Sequence, residues 1–470
     1  MPQVRTTSRG GDLLVRLDRE SPVSMAQQLE RALRGLIVSG TLVEGDALPS
    51  TRRFAAELGV SRGVVVEAYD QLAAAAWTSG RHGSGTRVLA GPDLRSLRSS
   101  EPAAAEPPLR CNFRPGVPDL SAFPRAAWMR ATKRALATLT DAELGYLDPR
   151  GLPALRVELA RYLARVRGVD VTAGDPLVVN GYAQGLVVLA RVLRARGVTV
   201  VAHESPGSPE QRGLLAAHGL SVTSAPVDDE GVVVDALPAR GVGAVVVTPA
   251  HQYPTGVVLS ASRRRALVDW ARRSGAFVIE DDYDAEYRFG RAPVAAVQPH
   301  APDRVVYAGT VSKSLAPGLR MGWLVPPAEL AGACALAKSE LDLSTPVIEQ
   351  AVLAELLMSG DLDRHLRRTR LRYERRRAAL LAGLAPTTAL ELLGEAAGLH
   401  ATFVLRGRRS ERDVIAAARQ NGVGLRGLSE HHADRRGRRG LVLGYANLTP
   451  DTIRWGASVL VDLLEQRACS

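Results

Sequence analysis

The sequence predicts two folded modules: an N-terminal, mainly α-helical winged helix-turn-helix over residues 12–89 and an α/β domain over residues 111–470, joined by a linker at 90–110. Three observations carry this. The 470 residues exceed what one ordinary core holds, since domains run roughly 100–200 residues. The stretch AGPDLRSLRSSEPAAAEPP at 90–108 is rich in Pro, Ala and Ser and lacks apolar periodicity, the composition of an extended, proline-stiffened linker. Beyond it, the apolar runs PLVVN (176–180), VTVVAHE (198–204), AVVVTPA (244–250), AFVIEDD (276–282) and RVVYAGT (304–310) alternate with helical patterns such as 184–196 and 261–274. Buried strands alternating with helices predict a mainly parallel sheet covered on both faces. From about 330 onward the pattern is helix-rich and ends in the strand-like GLVLGYA at 440–446.

In the first module, residues 23–39 carry an amphipathic helix pattern. Ser50 is placed to cap a short helix over 51–58, and Gly59 to stop it. Ser61 is placed to cap a second helix, whose Val65, Ala68, Tyr69 and Leu72 share one face. Two short helices around the turn Gly59–Val60 make a helix-turn-helix, whose second helix enters a DNA major groove by its N-terminus. Ser61 and Arg62 stand at that leading end, within reach of phosphates or base edges. WTSGRHGSGTRV (77–88) follows as a hairpin-like wing, and its glycines let Arg81 and His82 approach a nucleic-acid backbone.

Composition is that of a globular protein, with 46% apolar and 23% charged residues. No signal peptide and no run of ~18 apolar residues is present, which excludes a membrane-spanning helix. Cys111, Cys334 and Cys469 are few, odd in number and far apart; they imply no disulfide framework and no metal site, and fit a reducing cytoplasm. The net charge of +11 says little about nucleic acid, because residues 1–90 hold eleven Arg against nine acids. The excess lies elsewhere, as in DLDRHLRRTRLRYERRRAAL (361–380), which reads as a solvated helix face.

The second module carries the chemistry. Lys313, in GTVSKSLAPGLRMG (309–322), is one of only three lysines, with Lys133 and Lys338, among 60 basic residues. Lysine can lose its proton and form a Schiff base with an aldehyde, which arginine cannot. An aldehyde cofactor with a pyridine ring and a phosphate needs that amine, a carboxylate for its ring nitrogen, a partner for its ring hydroxyl, and a phosphate cradle. Asp281, ending AFVIED, can supply the carboxylate, and Tyr283 the hydroxyl partner. Lys313 follows the next strand, so all three groups fall at the C-terminal edge of the sheet, where ligands bind in such folds. The turn from PLVVN through Gly181, Tyr182 and Ala183 into a helix can cradle a dianion, with Ser312 and Arg320 adding a hydroxyl and a positive charge.

Two resemblances follow from these residues. P-S-x-R (49–52), G-V-S-R (59–62), E-A-Y (67–69) and G-x-G-T (83–86) resemble the winged helix-turn-helix of GntR-family transcription regulators. That likeness implies contacts to double-stranded DNA from Arg52, Ser61, Arg62 and the wing, Arg81, His82 and Gly83. Y-L-D-P-R-G-L (146–152), P-T-G (254–256), E-D-D-Y-D (280–284) and S-K-S-L-A-P-G-L-R (312–320) resemble the fold-type I aminotransferases. Their cofactor is pyridoxal 5'-phosphate, and the likeness implies that Tyr146 reaches the phosphate of a neighbouring subunit in a homodimer. The fusion of both is the architecture of the MocR subfamily of regulators, which TPAHQYPTG (248–256) and EDDYDAEYR (280–288) also resemble.

Two positions depart from a working aminotransferase. Where catalytic members stack an aromatic ring on the cofactor, HESPGSPEQ offers Ser208, and where they clamp a substrate carboxylate with arginine, GLVLGYANL offers Val442. Arg426, Arg438 and Arg439 are the candidates to stand in for the clamp. The departures imply a domain retained for sensing pyridoxal phosphate or its amine adduct as effector, with no catalytic residue assigned. Genes of vitamin B6 synthesis or of amino-acid and amine metabolism are then the controlled set. The other class left open is an aminotransferase with an appended DNA-binding domain.

Overall fold

The computed structural model describes residues 7–8, 11–12, 15–81, 85–89, 109–172, 174–290, 294–407, 409–434 and 437–465. His82, Gly83 and the linker stretch 90–108 lie outside the described residues. The chain divides into two compact units, Met1–Pro107 and Pro108–Ser470.

In the first unit the helix Met25–Val38 starts where the Ser24 hydroxyl accepts from the Gln27 N–H, and it buries Leu29, Leu33 and Ile37 along one face. The helix Thr51–Leu58 is capped by Ser50 and stops at Gly59, whose φ of 64° is a left-handed conformation that glycine adopts freely. The helix Arg62–Ala74 turns Val65, Ala68, Tyr69 and Leu72 inward. Those four pack with Leu29, Leu33 and Phe54 in one apolar core, and the Tyr69 hydroxyl donates to the Pro49 carbonyl at 2.9 Å. The antiparallel hairpin Thr78–Arg81 and Gly85–Val88 follows. One expectation needs correction. Ser61 holds the N-cap position of the second helix with extended backbone, but its side chain makes no capping hydrogen bond.

The second unit is built on an eight-stranded sheet in the order Leu177–Val179, Gly322–Val325, Val305–Thr310, Phe277–Asp282, Ala244–Val247, Val200–Ser205, Ser221–Asp228, Gly231–Val232. From Val305–Thr310 through Ser221–Asp228 the neighbours run parallel. Gly322–Val325 is antiparallel to both of its partners. Successive strand residues face opposite cores: Val246 and Ile279 pack with Leu186 and Leu189 of the helix Gly181–Ala195, while Val245 and Val278 pack with Leu267 and Trp270 of Ala261–Ser274. That division explains why these strands are apolar throughout.

A second sheet, antiparallel, is made by Leu390–Leu393, His400–Leu405, Gly440–Gly444 and Arg426–Gly427. The sequence reading, helix-rich up to GLVLGYA, missed three of these strands. The basic run lies on the helix Asp361–Leu384. Its Arg364, Arg367, Arg368, Arg372 and Arg375 are exposed, as a solvated face requires. Two others are structural: Arg370 Nε donates to the Glu286 carbonyl at 3.0 Å, and Arg376 reaches Asp119 at 2.8 Å and the Ala446 carbonyl. Among the described residues no helix is long and apolar enough to cross a membrane.

Candidate functional site

The strand ends of the large sheet open on a cavity of about 400 Å³, lined in part by Tyr182, Ala183, Asp281, Tyr283, Ser312, Lys313 and Arg320. Residues far apart in sequence meet there because parallel neighbours bring Asp281 level with Ala308, five residues before Lys313. Tyr146 is not among them: it is 91% exposed.

Each side chain has a definable state. Lys313 Nζ donates to the Gly116 carbonyl at 2.6 Å. Burial pulls its amine below the ordinary lysine range, against the opposing pull of Asp284 and Asp281, and so favours the neutral form that attacks carbonyls. Asp281 Oδ2 accepts from Gln211 Nε2 at 2.7 Å, whereas Oδ1 is buried with no hydrogen-bond partner. Burial pushes the Asp281 carboxyl up to about 7. The Tyr283 hydroxyl lies 3.1 Å from His251 Nδ1, the same nitrogen that sits 3.0 Å from the Asp284 carboxyl. With the Nδ1 proton directed to that carboxyl, the nitrogen cannot also accept from Tyr283, and the phenol proton is left for a ligand.

The anion cradle is equally local. Gly181 starts the helix Gly181–Ala195 with φ of 75°. A Cβ there would stand 3.0 Å from the Arg320 guanidinium, which donates to the Asn180 carbonyl at 3.0 Å. Arg320 thus sits against a helix N-terminus whose first N–H groups have no intrahelical acceptor. The Ser312 hydroxyl is held 2.9 Å from that of Thr310. A pyridinium nitrogen would meet the orphaned Asp281 oxygen, an aldehyde the Lys313 amine, and a phosphate the Gly181–Arg320 corner. The residues fit a phosphorylated pyridine aldehyde.

Several contributors escaped the sequence reading. Gln211, which holds Asp281, is positioned by Ser208: the serine hydroxyl caps the helix Pro209–Ala217 by accepting from the Gln211 N–H. The only sequence signal is the cap itself. The Tyr253 ring meets Tyr283, His400 and His431 edge-on, with centroids 6.1, 5.3 and 5.2 Å away. His251, Asp284 and His400 form a buried cluster, which no short-range spacing announces. Val442 is buried in its strand between two cross-strand partners, Thr402 and Arg426, of which Arg426 lines the cavity. Arg438 lines a different cavity, and Arg439 donates to the Gly407 and Arg409 carbonyls. Of the three candidates for the clamp, Arg426 alone reaches the site, and it is paired with Glu430 at 3.0 Å.

In the first unit Arg52, Ser61 and Arg62 are all exposed. Arg62 Nε donates to Thr51 Oγ1 at 3.4 Å, a weak bond across the turn between the two helices. Arg81 ends the first strand of the wing.

Comparison with known proteins accords with both halves. Residues 114–459 match aminotransferase class I and II, and residues 25–88 match bacterial regulatory proteins of the gntR family. The chain is 35% identical to the HTH-type pyridoxine biosynthesis transcriptional regulator PdxR of Corynebacterium glutamicum, over 96% of this chain and 98% of that one. It is 33% identical to the probable rhizopine catabolism regulatory protein MocR of Rhizobium meliloti, over 94% of each. A crystal structure of LysN, an α-aminoadipate aminotransferase from Thermus thermophilus complexed with N-(5'-phosphopyridoxyl)-L-leucine, is similar with a TM-score of 0.67 and 26% identity, covering 75% of this chain and 92% of that one. A GntR-type helix-turn-helix fused to a class I and II aminotransferase fold defines a class of transcription regulators. This chain belongs to that class, the MocR subfamily.

Proposed function

We propose that the protein binds an operator in double-stranded DNA and that its second unit senses pyridoxal 5'-phosphate, or an adduct of it with an amine, through Lys313. The observation that carries the ligand is the buried Asp281 oxygen without a partner, in the same cavity as Lys313. A buried acceptor left unpaired costs about 1–3 kcal/mol, and a pyridinium N–H removes that cost. The cofactor supplies an electrophilic aldehyde. The chain's own residues hold it: Lys313 by a covalent bond, Asp281 at the ring nitrogen, Tyr283 at the ring hydroxyl, and Gly181, Tyr182, Ala183, Ser312 and Arg320 around the phosphate.

The vitamin itself is the favoured effector. Arg426, in register with the buried Val442, is already engaged by Glu430, so the position facing Val442 offers a substrate carboxylate no free clamp. Genes of vitamin B6 synthesis are the corresponding targets, in keeping with the name of the Corynebacterium relative. Tyr146 is exposed and absent from the lining of its own cavity; the resemblance to aminotransferases implies that it serves a neighbouring subunit, and we propose a homodimer on that basis.

The test is borohydride reduction of protein mixed with pyridoxal phosphate, followed by peptide mapping. Label on Lys313 supports the reading, and label on Lys133 or Lys338 overturns it. Steady transamination of a common amino acid at enzyme-like rates would favour an aminotransferase with an appended DNA-binding domain instead.

A further inference from the structure

The run that carries Asp281 and Tyr283 continues into a second built space. A separate cavity of about 290 Å³ is lined by Arg165, Arg167, Glu286, Arg288, Arg367 and Arg370, among others. Two of these arginines already meet acids: Arg167 pairs with Asp282 at 2.6 Å and Arg165 with Asp363 at 2.9 Å. Arg288 is only partly satisfied. Its side chain is 9% exposed and one nitrogen, Nη2, meets Glu395 at 3.1 Å, while Nε and Nη1 are buried with no partner.

A guanidinium cannot escape this by losing its proton, and buried donors are almost always satisfied in folded proteins. Orphaned N–H groups beside a cavity therefore point to an acceptor that enters from outside. The charges around the cavity favour an anion. Among the lining residues five arginines, Arg165, Arg167, Arg288, Arg367 and Arg370, face two acids, Glu286 and Asp363. Burial pushes the Glu286 carboxyl up to about 7, so near neutrality a large fraction of it is uncharged and able to donate to an oxyanion.

We propose that this cavity is a second ligand site for a small phosphate-bearing anion, with Arg288 as the buried anchor and Arg367 and Arg370 completing it. Planar N–H forks suit phosphate oxygens. The site has a route to the first cavity: Arg288 pairs with Ala397 in an isolated bridge, two and three residues before Leu399 and His400, which line the first cavity. The inference does not depend on what occupies the Lys313 cavity.

Calorimetric titration of the full chain with inorganic phosphate, pyrophosphate and citrate tests it. Arg320→Gln disables the cradle of the first cavity, and in that variant phosphate or pyrophosphate binding should persist. Adding Arg367→Gln to it should weaken that binding about tenfold, the loss expected for one charge-assisted bond, and adding Arg288→Gln should abolish it. If Arg288→Gln does not fold, the exposed Arg367→Gln decides alone. Binding that disappears with Arg320→Gln, or that is indifferent to Arg367→Gln, overturns the site. Citrate binding as tightly as pyrophosphate overturns the phosphate class.

Discussion

Gln211 Nε2 donates to Asp281 Oδ2 at 2.7 Å, and the other carboxyl oxygen of Asp281, a residue in the lining of a 400 Å³ cavity, is buried with nothing to accept from. The carboxyl is poised rather than satisfied. Burial raises its pKa to about 7, so its ionised form is disfavoured relative to an ordinary carboxylate, and a cationic ring nitrogen would reverse that preference.

A pH dependence follows from the sign of this shift. A carboxyl whose folded pKa is raised contributes stability at pH below its ordinary value, and loses it as pH climbs through about 7. Ligand-free protein should therefore lower its Tm between pH 5 and pH 8, with Asp281→Asn showing a smaller fall. Pyridoxal phosphate should narrow the difference in the native chain only. Parallel pH profiles for both proteins without ligand would show that Asp281 is not the strained group.

Lys313→Ala should abolish borohydride-stable labelling while leaving reversible cofactor binding, because the Gly181–Arg320 corner remains. Gly181→Ala should do the opposite kind of damage. Its Cβ would meet the Arg320 guanidinium at 3.0 Å, and φ of 75° strains any L side chain. A loss of roughly tenfold or more in pyridoxal phosphate affinity is expected; an unchanged affinity would place the phosphate elsewhere.

What was legible in the sequence was what short-range pattern encodes. The helix capped by Ser50 and stopped at Gly59, and the apolar strand runs, appear because caps and periodicity are local. Asp281 and Lys313 could be paired because one stands at the end of a strand and the other just after the next, and parallel packing places those strands side by side. Gly322–Val325 was hidden because a four-residue strand entering antiparallel has no helix to announce it. Gln211 and the Arg426–Val442 register depend on contacts 70 and 16 residues apart, which no local spacing reports. Ser208 was read only as a missing aromatic, whereas it caps the helix that carries Gln211.

DNA binding should rest on Arg62 and not on the later basic run. Arg62→Ala should weaken operator binding by about 1–3 kcal/mol in gel-shift titration. Arg368→Ala, exposed on the helix Asp361–Leu384, should change it by less than about 0.5 kcal/mol. Equal losses would mean that bulk charge drives binding.

Arg426 separates two effectors. If the vitamin alone is sensed, Arg426→Ala should leave cofactor affinity within about twofold, since its guanidinium is held by Glu430. A larger drop, seen only when an amino acid is present, would show that a carboxylate is clamped there.

The central claim is that one ligand controls the other. Coupling of two sites is reciprocal: if pyridoxal phosphate changes operator affinity by some factor, commonly ~5–150-fold, operator DNA must change pyridoxal phosphate affinity by the same factor. The direct measurement is operator affinity at saturating and zero pyridoxal phosphate, with Lys313→Ala as the control, on DNA taken from the promoter the protein occupies. A shift of at least about fivefold in the native chain, much reduced in Lys313→Ala, is the predicted result. Identical operator affinities with and without the ligand, in a protein shown to carry it on Lys313, would contradict the account.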